Sequence, residues 1–348
     1  MGDGDPSIAR RKREHLDLVI ERADALQPGV SAGFERYRFV HKALPEINLD
    51  DVDTSTTLLG KRLRAPVFIA AMTGGAEGTG EINRRLAAAA QRFGIGMGVG
   101  SQRAALAHPA LAPTYRVRDV APDILLFANL GAVQLVRGLG IDDCRRAVEM
   151  IEADALALHL NPVQEAIQEG GDTTFEGVLA AIERVCRSLE VPVIAKEVGF
   201  GLSPEVAHRL ADAGVAALDV AGAGGTPWSK IEGLRAGDPV RQRAGMTFAQ
   251  WGIPTAECLR LLRDDRPGVP VLASGGLRDG VDVAKAIALG ASAAGIGAGA
   301  LAGAATSEED VARYVETVIF ELRVAMFGVG ARTVAELAST RALVPVAS

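Results

Sequence analysis

Polar side chains follow one short apolar run of the sequence, and their types suit the binding of a charged ligand. His159 lies at the end of this run, Asn161 follows it, and Gln164 and Glu165 come beyond Pro162. A carboxylate beside amide oxygens suits Mg²⁺, which prefers a few oxygen ligands completed by substrate phosphates. Taken singly, a Glu on a loop is most often only solvated, and a His at a strand end is as often structural as it is a base.

Lys196 lies inside a second apolar run, directly after Val193, Ile194 and Ala195. An ammonium group at such a position must be paired or must face a ligand, because an unpaired buried charge is costly. The residues leave three interpretations open. Lys196 contacts a ligand, forms an ion pair with Glu197 or a neighbouring strand, or forms a Schiff base of the kind that aldolases use.

Two glycine-rich turns near the end of the sequence suit a phosphate group. Gly275 and Gly276 precede Arg278, and the run at 297–299 reads Gly-Ala-Gly. Glycines let backbone N–H groups approach phosphate oxygens, and the positive end of a following helix and an arginine strengthen such a site. A pair of glycines is also a common marker of a tight turn, so the two interpretations are balanced from the glycines alone.

A basic segment near the start of the chain is a candidate for binding a diphosphate. Arg11, Lys12 and His15 would share one face of a helix, because residues three and four apart are neighbours there. Arginine binds such groups through two parallel hydrogen bonds. A charged helix end that is merely solvated is the alternative.

The elements that must position these residues are short apolar runs of strand length, each followed by a helical pattern. The runs are continuous and not alternating, which is typical of parallel strands covered on both faces. The eight runs are Ala65–Ala71, Gly94–Gly100, Ile124–Leu130, Ala155–Leu160, Pro192–Val198, Ala216–Gly222, Pro270–Gly276 and Ala293–Gly299. Eight β-then-α units predict an α/β fold, a single-domain (β/α)₈ TIM barrel, with its chemistry at the carboxyl ends of the strands. The rival, a doubly wound sheet, rarely needs eight units, and no early GxGxxG opens a first helix.

The pattern divides the chain into three parts. Residues 1–64 form an N-terminal extension with the basic segment that would clamp substrate, 65–330 form the barrel, and 331–348 form a C-terminal tail. Residues 223–253 lengthen the connection after the sixth strand, and such long connections are commonly lids or binding elements. Helices are predicted at Phe175–Leu189, Pro204–Ala213, Thr255–Arg263 and Val281–Leu289.

The composition excludes several classes of protein. The chain has 348 residues, of which 48% are hydrophobic, and 37 basic against 43 acidic side chains give a net charge of −6. This balance excludes wholesale disorder and gives no electrostatic reason to expect nucleic acid or an anionic membrane as a partner. The start of the chain lacks a secretory signal pattern, and Cys144, Cys186 and Cys258 lie far apart, so we expect a cytoplasmic protein without disulfides.

Seven sequence pieces, taken in order, resemble a known family. They are RKxxH at Arg11–His15, AMTGG at Ala71–Gly75, GSQR at Gly100–Arg103, HLNPxQE at His159–Glu165, KEVGFG at Lys196–Gly201, GGTxW at Gly224–Trp228 and GGLR at Gly275–Arg278. Together, from about residue 10 to about residue 300, they resemble the type 2 isopentenyl-diphosphate Δ-isomerases, an FMN-dependent family. Each piece alone is weakly specific, whereas HLNPxQE combined with RKxxH is highly specific.

The resemblance implies a flavin-dependent barrel enzyme that interconverts isopentenyl diphosphate and dimethylallyl diphosphate in isoprenoid biosynthesis. It implies FMN as the acid/base cofactor, reduced commonly by NADPH, together with Mg²⁺ and without net redox change. The substrate would be a small-molecule diphosphate, and the partner would be further copies of the chain in a tetramer or octamer.

The resemblance also implies roles for individual residues. FMN would be held by Met72, Thr73, Gly74, Ser101, Asn129, Lys196, Thr226, Gly276, Leu277, Arg278, Gly297 and Ala298. Substrate would be contacted by Arg11, Lys12, His15, Ser101, Gln102, Arg103 and Gln164, and Glu165 would bind Mg²⁺. The candidate catalytic residues are Gln164, His159, Asn161, Trp228 and Glu232. The end of the eighth strand, Gly295–Leu301, departs from the family pattern, which has larger residues and a proline there.

Three other functions remain to be compared with this one. An α-hydroxy-acid oxidase on a similar barrel needs a histidine base late in the barrel, and no histidine follows His208. A nucleotide dehydrogenase needs a loop cysteine as nucleophile, and all the cysteines fall in helix-like stretches. A flavin-binding redox sensor would bind FMN without consuming a diphosphate.

Overall fold

The computed structural model describes residues 14–15, 18 and 29–346. Its strands are β1 Tyr37–Phe39, β2 Thr56–Leu58, β3 Lys61–Leu63, β4 Val67–Ile69, β5 Gly96–Gly98, β6 Leu126–Gly131, β7 Ala155–His159, β8 Val193–Lys196, β9 Ala217–Asp219, β10 Val271–Ala273, β11 Ala293–Ile296 and β12 Leu343–Pro345. Strands β4 to β11 form a closed barrel in chain order, and every neighbouring pair is parallel. Seven of the eight predicted runs contain one of these strands, and the run Ile124–Leu130 contains all of β6 except Gly131, so the predicted TIM barrel is confirmed.

Helices follow the barrel strands and cover the outside of the barrel. They are α1 Thr79–Phe93, α2 Arg103–Ala107, α3 Ile141–Ile151, α4 Pro162–Ile167, α5 Val178–Ser188, α6 Pro204–Asp212, α7 Trp228–Arg235, α8 Pro239–Phe248, α9 Thr255–Asp264, α10 Gly280–Ala288, α11 Ala298–Thr306, α12 Glu308–Gly328 and α13 Val334–Ala338. Local capping sets several starts. Ser203 accepts from the N–H of Val206 at α6, and Asp279 accepts from the N–H of Asp282 at α10.

The barrel interior has an apolar floor at the amino-terminal ends of the strands. Inward-facing side chains such as Phe68, Phe127 and Ile194 are packed there with Leu58 and Leu63. These two leucines come from the antiparallel hairpin β2–β3, which lies across that end of the barrel. The floor is therefore made of apolar side chains from the barrel and from the preceding hairpin.

Alternation along the strands places a polar layer directly above the floor. Inward positions two residues further along the strands are Asn129, His159, Lys196 and Asp219, and Ser274 follows β10. The Cα atoms of His159, Lys196 and Asp219 are register partners on neighbouring strands. The fold thus brings five polar side chains from separate parts of the sequence to one level of the barrel.

Two segments outside the barrel pattern are more ordered than the sequence analysis proposed. The connection predicted as a long loop after the sixth strand contains α7 and α8. Asp238 caps α8 by accepting from the N–H of Val240, and Pro239 occupies its first position. The predicted tail contains α13 and strand β12, which pairs antiparallel with β1. Among the described residues, no helix has the length and apolar character needed to span a membrane.

Candidate active site

A cavity of about 660 Å³ opens at the carboxyl ends of the barrel strands. Its volume lies in the range of cofactor and small-molecule sites. The sequence-predicted residues that line it are His15, Met72, Thr73, Gly74, Ser101, Arg103, Asn129, His159, Asn161, Gln164, Glu165, Lys196, Thr226, Trp228, Gly276, Leu277, Arg278, Gly297 and Ala298. The fold therefore gathers nearly all of the candidate residues at one site.

Four of the predicted residues are not seen in the cavity wall. Gln102 is fully buried beneath it, donates to the carbonyl of Ala147 and accepts from the N–H of Asn129. Glu232 lies behind Gln164 and His15. Both are placed to act on the cavity through their neighbours. Arg11 and Lys12 lie outside the described residues.

Several polar residues of the cavity wall were missed by the sequence analysis. They are Gln134, Gln168 and Tyr314. Ser274, which lies at the end of the predicted run Pro270–Gly276, also lines the cavity. Tyr314 comes from the middle of α12, and its hydroxyl donates to the carbonyl of Arg278. Nothing in the local sequence around Tyr314 indicates this contact, which only the tertiary fold creates.

The polar layer forms the bottom of the cavity. His159 Nδ1 and Asn129 Oδ1 are 2.9 Å apart, so the histidine tautomer that donates from Nδ1 is favoured. Ser274 donates to Asp219 at 2.7 Å, and Lys196 Nζ donates to the carbonyl of Glu197 at 2.6 Å. The layer thus offers hydrogen-bonding groups and one ammonium group to a ligand above it.

Two buried carboxyl groups flank Lys196. Burial raises the pKa of Asp219, while the charge of Lys196 and the hydrogen bond from Ser274 oppose this rise. Burial also raises the pKa of Glu197, to about 7, against the hydrogen bonds from the N–H groups of the following loop. The N–H groups of Val198 and Gly199 each donate to Glu197 Oε2 at 2.7 Å. Glu197 therefore holds the loop after β8 in place at the cavity edge.

One side of the cavity suits a phosphate group. Helix α11 begins there at Ala298, and no side chain of its N-cap, Gly297, is available for its first N–H groups. Arg278 lines the same side and forms no salt bridge within the described part of the chain. Open N–H groups at a helix start beside an arginine form an anion site. These residues fit the phosphate of FMN.

The opposite side offers oxygen atoms that suit a magnesium ion. Glu165 is buried at the cavity wall and accepts from Asn161 Nδ2 at 2.9 Å and from the N–H of Asp172 at 2.7 Å. The oxygen Oδ1 of Asn161 is buried without a hydrogen-bond partner among the described residues. These residues contain no cluster of three or more His, Cys, Asp or Glu that could enclose a metal. One carboxylate and one amide oxygen fit Mg²⁺ that keeps water and phosphate ligands.

Arg103 is held at this wall by a carboxylate. Its guanidinium forms a salt bridge of 2.9 Å with Asp172, which also accepts from Gln134 at 2.8 Å. Burial alone would raise the pKa of Asp172, but the hydrogen bond from Gln134 and the charge of Arg103 hold it below its usual value. The ionised Asp172 therefore fixes Arg103 in the cavity wall while its backbone supports Glu165.

A second network lies behind Gln164. Glu232 is 1% exposed and accepts from Gln164 Nε2 at 2.9 Å. His15 Nε2 lies 3.0 Å from the same carboxylate, and the ring of His15 packs edge-on against Trp228 at 5.3 Å between centroids. Burial alone would raise the pKa of Glu232, but the hydrogen bond and charge of His15, with smaller contributions from Gln164 and Arg235, lower it to about 2.

The three cysteines do not line this cavity. Cys144 and Cys258 are buried in helices, and burial raises the pKa of each thiol to about 12. Cys186, also in a helix, has its pKa raised to about 11 by burial. A thiol with such a pKa is a poor nucleophile, so the dehydrogenase mechanism based on a loop cysteine does not apply.

The chain is similar to curated proteins over nearly its whole length. It is 53% identical to isopentenyl-diphosphate delta-isomerase of Stutzerimonas stutzeri over 97% of both chains. It is 52% identical to the protein of the same name from Nostoc sp., over 92% of this chain and 91% of that one. A family model described as FMN-dependent dehydrogenase matches residues 14–110 and 141–344.

Solved structures show the same fold at lower identity. A mandelate oxidase variant with an FMN adduct superposes with a TM-score of 0.64 and 21% identity, covering 98% of this chain and all of that one. This likeness concerns the barrel, whereas the curated relatives share half of the residues. The chain is an enzyme that belongs to the isopentenyl-diphosphate delta-isomerase family, in its type 2, FMN-dependent form.

Proposed function

We propose that this enzyme interconverts isopentenyl diphosphate and dimethylallyl diphosphate, with reduced FMN and Mg²⁺ bound at the barrel mouth. The observation that carries the proposal is the buried oxygen of Asn161, which lies beside Glu165 and has no hydrogen-bond partner among the described residues. A buried acceptor without a donor is costly and indicates a missing partner, here a cation. A metal at this wall would hold a diphosphate inside the cavity that also suits a flavin phosphate.

One wall of the cavity would bind the diphosphate. Glu165 would hold Mg²⁺, and Arg103 would contact a diphosphate oxygen from its position beside Asp172. Arg11 and Lys12, which the sequence places close to His15, would complete the clamp. Remote binding of this kind fixes the small hydrocarbon end and reduces the entropy cost of reaching the transition state.

Moving the double bond adds a proton at one carbon and removes one from another, through a carbon that becomes electron-poor. Reduced FMN, when bound, supplies the electron-rich surface and the proton-carrying group that this reaction needs. The side chains of the cavity would exclude water and orient the two molecules once both are bound. Gln164, held by Glu232 at 2.9 Å, would orient the alkene or relay a proton. Its amide is a poor acid, so we assign it a supporting part.

The polar layer would hold the flavin. Lys196 presents an ammonium group to the cavity, and Asn129 and His159 present a hydrogen-bonded pair beside it. Met72, Thr73 and Gly74 would contact the cofactor from the end of the first barrel strand. We further propose NADPH as the reductant of the flavin, assembly as a homotetramer or homo-octamer, a cytoplasmic location and a place in isoprenoid biosynthesis.

The oxidase alternative has less support. Net oxidation of a 2-hydroxy acid requires a histidine base late in the barrel, and the cavity takes its histidines from β7 and from the N-terminal segment. The one arginine of the phosphate side, Arg278, lies next to the open start of α11 and is better placed for a phosphate. The solved oxidase structures share the barrel and only about a fifth of the residues.

The proposal is tested by incubating the protein with isopentenyl diphosphate, FMN and Mg²⁺, with and without a reductant. We expect dimethylallyl diphosphate to form only when the flavin is reduced. Protein that binds FMN and leaves the diphosphate unchanged would favour the sensor alternative, and oxidation of a 2-hydroxy acid would favour the oxidase. Failure to bind FMN at all would overturn the whole assignment.

A further inference from the structure

Arg235 is joined to two carboxylates that belong to different parts of the chain. Its Nη1 donates to Glu232 Oε2 at 2.6 Å, three residues earlier on helix α7. Its Nε and Nη2 donate to Glu14 Oε2 at 3.0 and 2.9 Å. The guanidinium therefore uses one edge for the active-site carboxylate and another for the N-terminal segment.

The geometry around these groups leads directly to the cavity. While Oε2 of Glu232 is occupied by Arg235, its other oxygen, Oε1, accepts from Gln164 and faces His15. Glu14 is the chain neighbour of His15, so fixing Glu14 also limits where His15 can lie. Gln164 and His15 both line the cavity, whereas Arg235 and Glu232 do not.

The ion pair between Arg235 and Glu232 is largely shielded from water. Glu232 is 1% exposed and Arg235 is 17% exposed in their side chains, so water competes little for the pair. Removing one partner of a buried pair leaves the other as an uncompensated charge, which must then move or change its protonation. In this site, any movement of Glu232 is passed to Gln164 through a hydrogen bond of 2.9 Å.

We propose that Arg235 is a positioning residue for the isomerase reaction. It holds Glu232 so that Gln164 keeps its orientation, and it fastens Glu14 so that His15 stays at the cavity wall. The inference deepens the proposed function and rests on it.

The test compares the unsubstituted holoenzyme with Arg235→Met, Arg235→Lys, Glu14→Gln and the double variant Glu14→Gln/Arg235→Met. The matched control is Arg260→Met, because Arg260 forms an equally short bridge of 2.6 Å with Glu257, also three residues apart, on helix α9. Steady-state turnover of isopentenyl diphosphate gives kcat and KM, and flavin absorbance and the thermal midpoint report on cofactor content and folding.

We expect Arg235→Met to lower kcat/KM at least about tenfold, since small misplacements of positioned groups have effects of this size. FMN content should stay unchanged, and Arg235→Lys should recover part of the loss. Glu14→Gln should raise KM while kcat stays within about twofold, and it should add nothing in the Arg235→Met background, because coupled residues are non-additive. Arg260→Met should leave kcat/KM unchanged.

Equal kcat/KM in Arg235→Met and the unsubstituted enzyme would overturn the inference. It would also be overturned if the loss of kcat/KM in the double variant equalled the product of the losses in Glu14→Gln and Arg235→Met. If Arg235→Met fails to fold, Arg235→Lys and Glu14→Gln carry the test, and normal kcat/KM in both would overturn it. Absence of turnover in the unsubstituted enzyme would instead count against the proposed function.

Discussion

Asn161 donates a hydrogen bond of 2.9 Å from Nδ2 to Oε1 of Glu165, and its own amide oxygen is left buried without a partner among the described residues. This pair places two oxygen atoms of different character at one wall of the cavity. The bond orients the amide, so its oxygen is fixed and ready to accept. In the proposed function, this pair would let a single carboxylate hold a cation that also binds a diphosphate.

Glu165→Gln should raise the Mg²⁺ concentration needed for half-maximal turnover by about tenfold, because the substitution would remove the carboxylate charge that we propose binds the ion. Flavin content should be unchanged, since Glu165 lies on the opposite side of the cavity from Arg278. Turnover measured across a Mg²⁺ titration checks this. Glu176→Gln, at an exposed position, is the control. Normal turnover of Glu165→Gln at low Mg²⁺ would remove Glu165 from the metal site.

Lys196→Ala should weaken FMN binding about tenfold or more, because a hydrogen bond to a charged group contributes roughly 1.5–3 kcal/mol. A fluorescence titration of the apoprotein with FMN measures the change in Kd. The matched control is Lys42→Ala, which removes an ammonium group from an exposed position. A yellow Lys196→Ala protein that keeps its flavin through dialysis would argue against this contact.

Gly276→Ala should abolish FMN retention, whereas Gly268→Ala should not. The two glycines have nearly equal φ values of 82° and 81°, so both variants should carry a similar backbone strain of roughly 1–2 kcal/mol. A Cβ at Gly276 would lie 2.5 Å from the carbonyl oxygen of Gly224, whereas a Cβ at Gly268 has no atom within 4 Å. The two variants therefore differ only in whether the new Cβ atom meets a neighbouring backbone. Any additional loss of flavin in Gly276→Ala reports on the close packing of the turn beside Arg278.

Flavin content per chain after gel filtration gives the comparison, and thermal unfolding gives the cost in stability. Both variants should lose a similar amount of stability because of backbone strain. Gly276→Ala alone should lose additional stability. Equal flavin content in the two proteins would show that the turn tolerates a side chain.

Glu197→Gln should become more stable than the unsubstituted protein as pH rises from about 4.5 to 7. The folded protein holds the proton of Glu197 up to a pKa of about 7, above the ordinary value of 4.5, so ionisation between these values costs stability. The slope for one proton is at most about 1.4 kcal/mol per pH unit. Glutamine stays neutral, and its amide oxygen can still accept from the N–H groups of Val198 and Gly199.

Thermal or urea unfolding at a series of pH values measures this difference. The difference in unfolding free energy in favour of Glu197→Gln should be absent near pH 4, increase up to about pH 7 and then stay constant. Glu176→Gln should show no such trend. An advantage that stays constant with pH would contradict the raised pKa of Glu197.

The strands were predictable because parallel barrel strands are short, continuous and apolar, as in Ala155–Leu160, which contains β7. Lys196 stood out for the same reason, as a charge inside such a run. The helices α7 and α8 were not predicted, although Asp238 and Pro239 carry a helix-start signal. The apolar periodicity of these two helices is weak, so the local sequence pattern predicts a loop.

The position of a residue in the cavity wall was less predictable than its presence near the site. Gln102 follows a barrel strand as Ser101 and Arg103 do, yet its side chain turns into the protein to bond Asn129 and Ala147. Tyr314 reaches the cavity from a helix 36 residues beyond its partner Arg278. Only the packing of α12 against the barrel decides such contacts, and no short motif contains that information.

The apolar floor beneath the polar layer turns the barrel into a blind-ended well. Leu58 and Leu63 seal its lower end, so a molecule seated on Lys196 and His159 can come and go only past whatever lies above it. If the proposed flavin occupies the lower position and the diphosphate the upper one, we expect ordered binding, in which the flavin enters first and leaves last. The flavin would then stay bound through many turnovers while the diphosphate exchanges in each.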